Sequence, residues 1–288
     1  MTESRFIIAL DVGGSSVKSG VVDLISHQIT DFTNTPINSG GSADAILSTL
    51  SDIIQQHWEQ SANVVGVGLG FPGPFDYETG ISWIAGVAKF EAIYGMNIHD
   101  ALKATLPDST TPIRFRNDAE AAIVGEGVYG VGRAYSRIIG LTLGTGCGSA
   151  FLIDGVPQTQ GKGVPDNGWV YQIVYQDEAV DEIFSIRGLL KRLASASLEV
   201  ESVFDAIQQA QSSPQIRAVL ESFGDDLAQF LKPLVAEFGA DVVILQGGIA
   251  QGFPYFVDAM KPHLSIPVLA GELERDAALL GVANLFRL

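Results

Sequence analysis

Ile7-Ile8-Ala9-Leu10-Asp11-Val12-Gly13-Gly14-Ser15-Ser16-Val17-Lys18-Ser19-Gly20-Val21-Val22-Asp23 is an apolar run that ends in an acid, then two glycines and two serines, then a second apolar run. The pattern predicts strand, tight turn, strand. At Gly13 and Gly14 no Cβ stands between the backbone N–H groups and an anion. The hydroxyls of Ser15 and Ser16 add donors. Asp11, at the strand end, is suited to holding a hydrated Mg2+. Lys18 either adds a positive charge to the turn or is simply solvated. A turn of this kind is common by itself, and its weight comes from a second copy. Leu141-Thr142-Leu143-Gly144-Thr145-Gly146-Cys147-Gly148-Ser149-Ala150-Phe151-Leu152-Ile153-Asp154 has the same build. Asp11 falls on Thr142, Gly13 on Gly144, Gly14 on Thr145 and Asp23 on Asp154, in one register. Two such hairpins, one in each half, predict a duplicated fold that grips a polyphosphate from both sides.

The bulk numbers agree with a globular chain that can build a sizeable core. The chain has 288 residues, enough for two modest domains, and 47% of them are hydrophobic against 17% charged. No apolar run approaches the roughly 18 residues of a membrane span. Met1–Arg5 lead directly toward a strand without the pattern of a secretory leader, so a cytoplasmic location is expected. Cys147 is the only cysteine, which excludes an intramolecular disulfide and a cysteine-rich zinc site. Its place in a glycine-rich turn points to a small residue in a tight spot rather than a nucleophile. The formal net charge of −16 opposes nonspecific binding to nucleic acid or an anionic membrane. An anionic ligand would need local help from Mg2+ and backbone amides.

Along the chain, Phe6–Leu10, Ser19–Leu24 and Gln28–Thr33 predict an antiparallel meander. Ser42 is a candidate N-cap for a helix over Ala43–Glu59, with Ile46, Leu50, Ile53, Ile54 and Trp58 at helical spacing as a core face. Val64–Gly70 is apolar throughout and suits a central parallel strand. Phe71-Pro72-Gly73-Pro74-Phe75-Asp76 is a rigid turn. Gly80–Trp83 predicts a short strand, Ala85–Tyr94 is irregular, and Asn97–Leu106 predicts a short helix. Ile113–Arg116 predicts a strand that runs into Asn117-Asp118, and Ala119–Tyr129 a helix that Gly125 and Gly127 weaken. Strands Ile138–Leu143 and Ser149–Ile153 repeat the opening. Further on, helices are expected over Asp177–Ser195, Val200–Gln211, Pro214–Phe238, Gly252–Lys261 and Glu274–Arg287, and a strand over Val242–Leu245 before the turn Gln246-Gly247-Gly248. This mixed order predicts an α/β fold with two similar halves and a ligand cleft between them.

Asp118 ends a strand and begins a helix, whose N-terminus favours the carboxylate. Across from two phosphate turns it is placed to accept the proton of an attacking hydroxyl. Phosphoryl transfer needs little more than amides and Mg2+ on the phosphates and one carboxylate to orient the nucleophile. Asn117 beside it is a candidate ligand for a neighbouring substrate hydroxyl. Both residues also suit a plain helix N-cap, and the two roles are compatible. Gly247 and Gly248 would let an adenine or ribose lie on the backbone, though an ordinary strand-to-helix turn would read the same.

Together these segments resemble the ROK sugar kinases, within the actin–hexokinase superfamily, over nearly the whole chain. Leu10–Lys18 resembles the family's first phosphate motif and Gly68–Asp76 its Pro-Gly-Pro segment. Asn117-Asp118-Ala119-Glu120-Ala121-Ala122 is similar to the catalytic segment, Leu143–Gly148 to the second phosphate motif, and Leu245–Ile249 to the adenosine motif. The resemblance implies a duplicated ribonuclease H-like (actin-like ATPase) fold. Its two lobes, 1–117 with 272–288 and 118–271, would lie around a cleft. It implies ATP-dependent phosphorylation of a hexose hydroxyl, with Asp118 as base and Asp11 as Mg2+ or phosphate partner. Gly13, Gly14, Ser15 and Lys18 would serve the donor, as would Gly144, Thr145, Gly146, Gly247 and Gly248. Asn117, Gly73 and Pro74 would serve the sugar. Most members also carry a zinc motif and a Glu-x-Gly-His segment. Here that place reads Asp166-Asn167-Gly168-Trp169, with Asp166 standing for the Glu and Trp169 for the His, and the zinc cysteines are absent. Asp181 fits the position of a further sugar-binding acid. Zinc-free relatives include polyphosphate-using glucokinases, so polyphosphate is an alternative donor. The altered Asp166–Trp169 segment leaves a non-catalytic sugar or nucleotide sensor as a second alternative. Family repressors carry an N-terminal helix-turn-helix, and the nearness of Asp11 to the first residue, with the charge, leads us to expect no nucleic-acid partner. Family members often form dimers, which adds a second copy of the chain to the expected partners.

Overall fold

The computed structural model describes residues 5–287. Residues 1–4, on which the expectation of no leader rests, and residue 288 lie outside them. Contacts group the chain into two compact units, Met1–Gly125 with Arg275–Leu288, and Glu126–Glu274.

In the first unit, β1 (Phe6–Val12), β2 (Ser16–Asp23) and β3 (Ile29–Pro36) form the expected antiparallel meander. β4 (Val64–Phe71) pairs parallel with β1, and β7 (Ile113–Asn117) pairs parallel with β4, giving the order β3-β2-β1-β4-β7. A small hairpin, β5 (Phe75–Asp76) and β6 (Ile81–Ser82), and the short helix α2 (Ile98–Lys103) lie between β4 and β7. Helix α1 (Ala43–Gln60) starts where Ser42 Oγ accepts the N–H of Ala45 at 3.2 Å. Ile46, Leu50, Ile53 and Ile54 are buried as the spacing requires. Trp58 is only partly buried, and His57 takes a buried position instead, with its ring nitrogen 2.8 Å from Ser19 Oγ.

Helix α9 (Asp276–Ala283) lies against β1 and β4. It explains two sets of glycines. A Cβ on Gly66 would come 2.3 Å from the Phe286 ring, and one on Gly68 2.4 Å from Val282. Helix α3 (Asp118–Val128) crosses α9 at backbone contact. A Cβ on Gly125 would come 2.0 Å from the Ala277 carbonyl, and one on Gly281 1.7 Å from the Ala121 carbonyl. Gly125, which lowers helix propensity, and Gly281 together let the crossing form. The core of this unit gathers Leu10, Leu50, Leu69, Phe71, Phe90 and Phe115 between sheet and helices.

The second unit repeats the sheet. β8 (Arg137–Leu143), β9 (Cys147–Ile153) and β10 (Val156–Pro157) are antiparallel neighbours. β13 (Val242–Gln246) and β14 (Val268–Ala270) add parallel strands, in the order β10-β9-β8-β13-β14. The duplication expected from the two hairpins is thus present in the topology. The register expected beyond the turn is corrected by one residue. Phe6 pairs with Asp23 but Arg137 with Ile153, so Asp23 matches Ile153 and not Asp154. The cause is turn length. Val12 pairs with Val17 around residues 13–16, whereas Leu143 pairs with Cys147 around residues 144–146. Asp154 instead sits at φ 50° and accepts from Ser136 Oγ at 2.6 Å.

The single helix expected over Asp177–Ser195 is broken. Its span contains β12 (Glu178–Ala179), paired with β11 (Val174–Tyr175), then α4 (Val180–Phe184) and α5 (Ile186–Ser195), with Ser185 extended between the helices. The break frees the Ile186 N–H, which donates to the Gly144 carbonyl at 2.8 Å. Helices α6 (Val203–Gln209) and α8 (Phe253–Met260) are shorter than their patterns, and α9 ends at Ala283 in a 3-10 turn rather than running to Arg287. Helix α7 (Pro214–Phe238) has the expected bounds, with Ser213 capping its start and Gly239 at φ 71° past its end. Its Leu220, Phe223, Leu227 and Leu231 lie in the second core, with Phe151 and Phe184.

Candidate active site

Parallel strands end together, so whatever follows them shares one edge of the sheet. Asp11 pairs with Gly70 and Phe71 pairs with Asn117. Asp11, the Pro72-Gly73-Pro74 turn and Asn117-Asp118 are therefore on the carboxyl edge of β1, β4 and β7, where α/β sheets present ligands. The Gly73–Pro74 bond is cis.

Asp118 keeps part of its surface open, yet its carboxyl lies well above the ordinary carboxylate range. Burial is the main cause, followed by the negative charge of Asp11; the Ala119 N–H and the Lys89 ammonium act the other way. Asp118 Oδ1 accepts from Ala119 N at 2.9 Å, and among the described residues nothing is bonded to Oδ2. Asp11 pairs with Lys18 at 3.1 Å, so Lys18, though 41% exposed, is not merely solvated. Asn117 is an N-cap: its Oδ1 accepts from Glu120 N at 3.1 Å, while Nδ2 donates to the Tyr77 hydroxyl at 3.0 Å. Tyr77 in turn donates to the Phe71 carbonyl, and a Cβ on Gly73 would stand 3.2 Å from its hydroxyl. Tyr77 thus ties Asn117 to the Pro-Gly-Pro turn, a role the sequence did not announce.

The first turn is held from behind. Gly13 N donates to Ser16 O at 3.0 Å, Ile37 N to Ser15 O at 3.0 Å, and Ser39 Oγ to Gly14 O at 2.5 Å. Beside Gly14 lies the Lys89 side chain, with Cδ 3.3 Å from where a Cβ would be. Lys89 belongs to the stretch the sequence left irregular.

In the second unit the expected residues also converge. Gly247, at φ 92°, lies where a Cβ would be 2.5 Å from the Leu143 carbonyl, so the Gly247-Gly248 turn abuts the start of Gly144–Gly146. Cβ positions at Gly144 and Gly248 meet open space. Asp181 Oδ1 accepts the Cys147 N–H at 2.7 Å, and its Oδ2 accepts from Arg187 at 2.7 Å. Arg187 also donates to the Thr145 carbonyl at 3.1 Å. Asp181, expected as a sugar ligand, thus braces the Gly144–Gly146 turn, with Arg187 as an unexpected second brace. Asp166 is exposed in a 3-10 turn, and Trp169 packs 6.0 Å from Tyr171, whose carbonyl accepts the Asp181 N–H. Ser149 fixes this segment through Gly168 O and Val170 N. The Cys147 thiol is pushed far up, first by burial and then by Asp181, which leaves it inert. A cavity of about 760 Å3 along α5 and α7, walled by Glu178, Glu182, Lys191, Arg192 and Asp226, holds none of the expected site residues.

Among the described residues no three His, Cys, Asp or Glu side chains gather to hold a metal unaided. Mg2+ commonly takes one or two carboxylates and fills its shell with phosphate oxygens and water. Asp11, with 17% of its side chain exposed beside an amide-rich turn, fits that requirement. Also among the described residues, no helix is long and apolar enough to cross a membrane.

Comparison with known proteins gives a consistent picture. A model of the ROK family matches residues 7–286. The glucokinase of Thermotoga maritima is 24% identical, over 98% of this chain and 97% of its own. The polyphosphate glucokinase of Mycobacterium leprae is 32% identical over 158 residues, 52% of this chain and 45% of its own. Among solved structures, a ROK family glucokinase from Streptomyces griseus, in complex with glucose and AMPPNP, superposes with a TM-score of 0.76. It shares 20% identity and covers 97% of this chain and 98% of its own. That likeness establishes the shared fold.

Proposed function

The chain belongs to the ROK family, and from that premise we propose that it is a sugar kinase. In this reading it moves the terminal phosphoryl group of ATP to a hydroxyl of a hexose, glucose or a close relation, with Asp118 as general base. The observation that carries the reading is the placement of Asp118. Its carboxyl stands at the sheet edge that Asp11 shares, in the field of Asp11, and among the described residues no hydrogen bond engages its Oδ2. Mg2+, held by Asp11, would supply charge neutralisation on the phosphates.

The chain's own residues do the rest. The first glycine turn would receive phosphate oxygens at Gly14, the Gly13 N–H being already bonded to Ser16 O. Gly144–Gly146, braced by Asp181 and Arg187, offers a second such turn, and Gly247-Gly248 offers a flat backbone for a nucleoside. In the first unit Asn117, held by Tyr77, would serve the acceptor with Gly73 and Pro74; in the second, Asp166 would offer a carboxylate and Trp169 an indole face. Burial raises the Asp118 carboxyl toward the working pH, which improves it as a base. The similarity to a polyphosphate glucokinase supports a second reading, in which polyphosphate is the donor.

A sugar panel with ATP·Mg2+ tests the proposal, run beside polyphosphate and beside Asp118→Ala. The expected result is phosphorylation of at least one hexose and a loss of roughly 10²–10⁴-fold in kcat in the variant. No product on any sugar with either donor, or unchanged turnover in the variant, overturns it.

A further inference from the structure

The stretch from Ala85 to Tyr94 has no regular period, and it holds Lys89, the one cation among the described residues whose field lowers the Asp118 carboxyl. Lys89 is fixed in place from both sides. Ala88 and Phe90 both adopt left-handed backbone, at φ 57° and 56°. Such conformations are unusual for residues with a side chain and persist only where the surroundings impose them. Here the surroundings are visible. Glu91 accepts the Ala88 N–H at 3.0 Å. Phe90 is fully buried against Phe71, with ring centroids 5.6 Å apart, and its N–H donates to Ser39 O at 2.6 Å. Ser39 Oγ holds the Gly14 carbonyl. The phosphate turn and Lys89 therefore hang from one residue, Ser39. The stem of Lys89 lies on Gly14, at the position a Cβ would crowd. Among the described residues no hydrogen bond or ion pair engages its ammonium, and the residue is only partly exposed.

A lysine so placed has three donors to give; its stem rests on the turn that would receive the phosphates, and its charge reaches the base that would receive the proton. We propose that Lys89 is a further catalytic residue, whose ammonium binds the phosphoryl group in transit. This rests on the kinase reading above. In the step, the acceptor O–H proton passes to Asp118 Oδ2 and the acceptor oxygen bonds to the terminal phosphorus. The bond from that phosphorus to the bridging oxygen breaks, and the electron pair leaves with the nucleoside diphosphate. Lys89 stays protonated throughout and offsets the charge on the equatorial oxygens, a role that positioned cations fill in phosphoryl transfer. Its seat on the Gly14 side would also keep it from replacing Mg2+ at Asp11, which Lys18 already neighbours.

The test is steady-state kinetics of the full chain with Lys89→Met and Lys89→Arg, beside wild type and Asp118→Asn, with melting curves for all four. Lys89→Met is expected to lower kcat by roughly 10²–10³-fold, with the KM for the sugar within threefold of wild type and the melting temperature unchanged. Lys89→Arg is expected to restore at least tenfold of that loss. A Lys89→Met enzyme within threefold of wild-type kcat, while Asp118→Asn is inactive, overturns the role of Lys89 and leaves the kinase reading standing. A raised sugar KM at unchanged kcat also overturns it, since the lysine would then serve the acceptor. So does a loss that follows a lowered melting temperature and is not rescued by arginine. A wild-type chain inactive on every sugar removes the kinase reading and this inference with it.

Discussion

In its proposed role as base, Asp118 trades stability for chemistry. A carboxyl raised in the folded state binds its proton more tightly there than in the unfolded chain. Its stabilising contribution is complete below the unfolded value of about 3.9 and is lost as pH rises through the folded value. At neutral pH the ionised group is therefore a burden on the fold. Asp118→Asn is expected to melt higher than wild type at pH 7.5, with the gap closing as the pH falls toward 4, while turnover drops. Differential scanning calorimetry across that range checks it, and a variant that melts lower at pH 7.5 would refute the assignment. In the same way, the acid limb of kcat/KM is expected to lie above the usual carboxylate range, since activity is lost as the base takes up its proton. At this scale, the places of Asp11 and Asp118 at strand ends could be read from sequence, Asp11 because it closes an apolar run and Asp118 because it follows the alternating strand Ile113–Asn117. Lys89 and Tyr77 could not, because their roles depend on loop geometry, and a lysine or tyrosine in an aperiodic stretch carries no signal of where it points.

Among the elements, α3 and α9 depend on glycine for a reason opposite to the usual one. Alanine is better than glycine in an isolated helix by about 1 kcal/mol. At Gly281 a Cβ would meet the Ala121 carbonyl at 1.7 Å, and at Gly125 the Ala277 carbonyl at 2.0 Å. Gly281→Ala is accordingly expected to destabilise by about 3 kcal/mol, near the top of the range for overpacking. Urea denaturation followed by fluorescence measures this, and a gain in stability would show that the crossing can spread at no cost. The strands β1, β4, β8 and β13 and the helix α7 were legible because long apolar runs or a clear 3.6-residue stripe specify them. The break between α4 and α5 was not. It is made by a tertiary bond from Ile186 to Gly144, and no local residue preference announces it. Strand β14 is short and only partly buried, too little for a pattern to show.

For the molecule as a whole, the charge of −16 is spread over two units that each carry their own core. Self-repulsion of that size works against compactness and is screened within about 10 Å at 0.1 M salt. Raising sodium chloride from 10 to 200 mM is therefore expected to lift the melting temperature by a few degrees; a flat or falling response would mean the acids are locally compensated. Duplication was legible from Gly13-Gly14 and Gly144-Thr145-Gly146, because a glycine pattern repeated between apolar runs survives divergence of everything around it. The detail that did not survive is the length of the second turn. If both halves descend from one segment, a codon was gained or lost at that apex after the copying. Strand side chains alternate faces, so comparing the halves without a gap there matches inward residues to outward ones for the rest of the hairpin. The ancestry of the two halves can be traced correctly only from the pairing partners, Phe6 with Asp23 and Arg137 with Ile153.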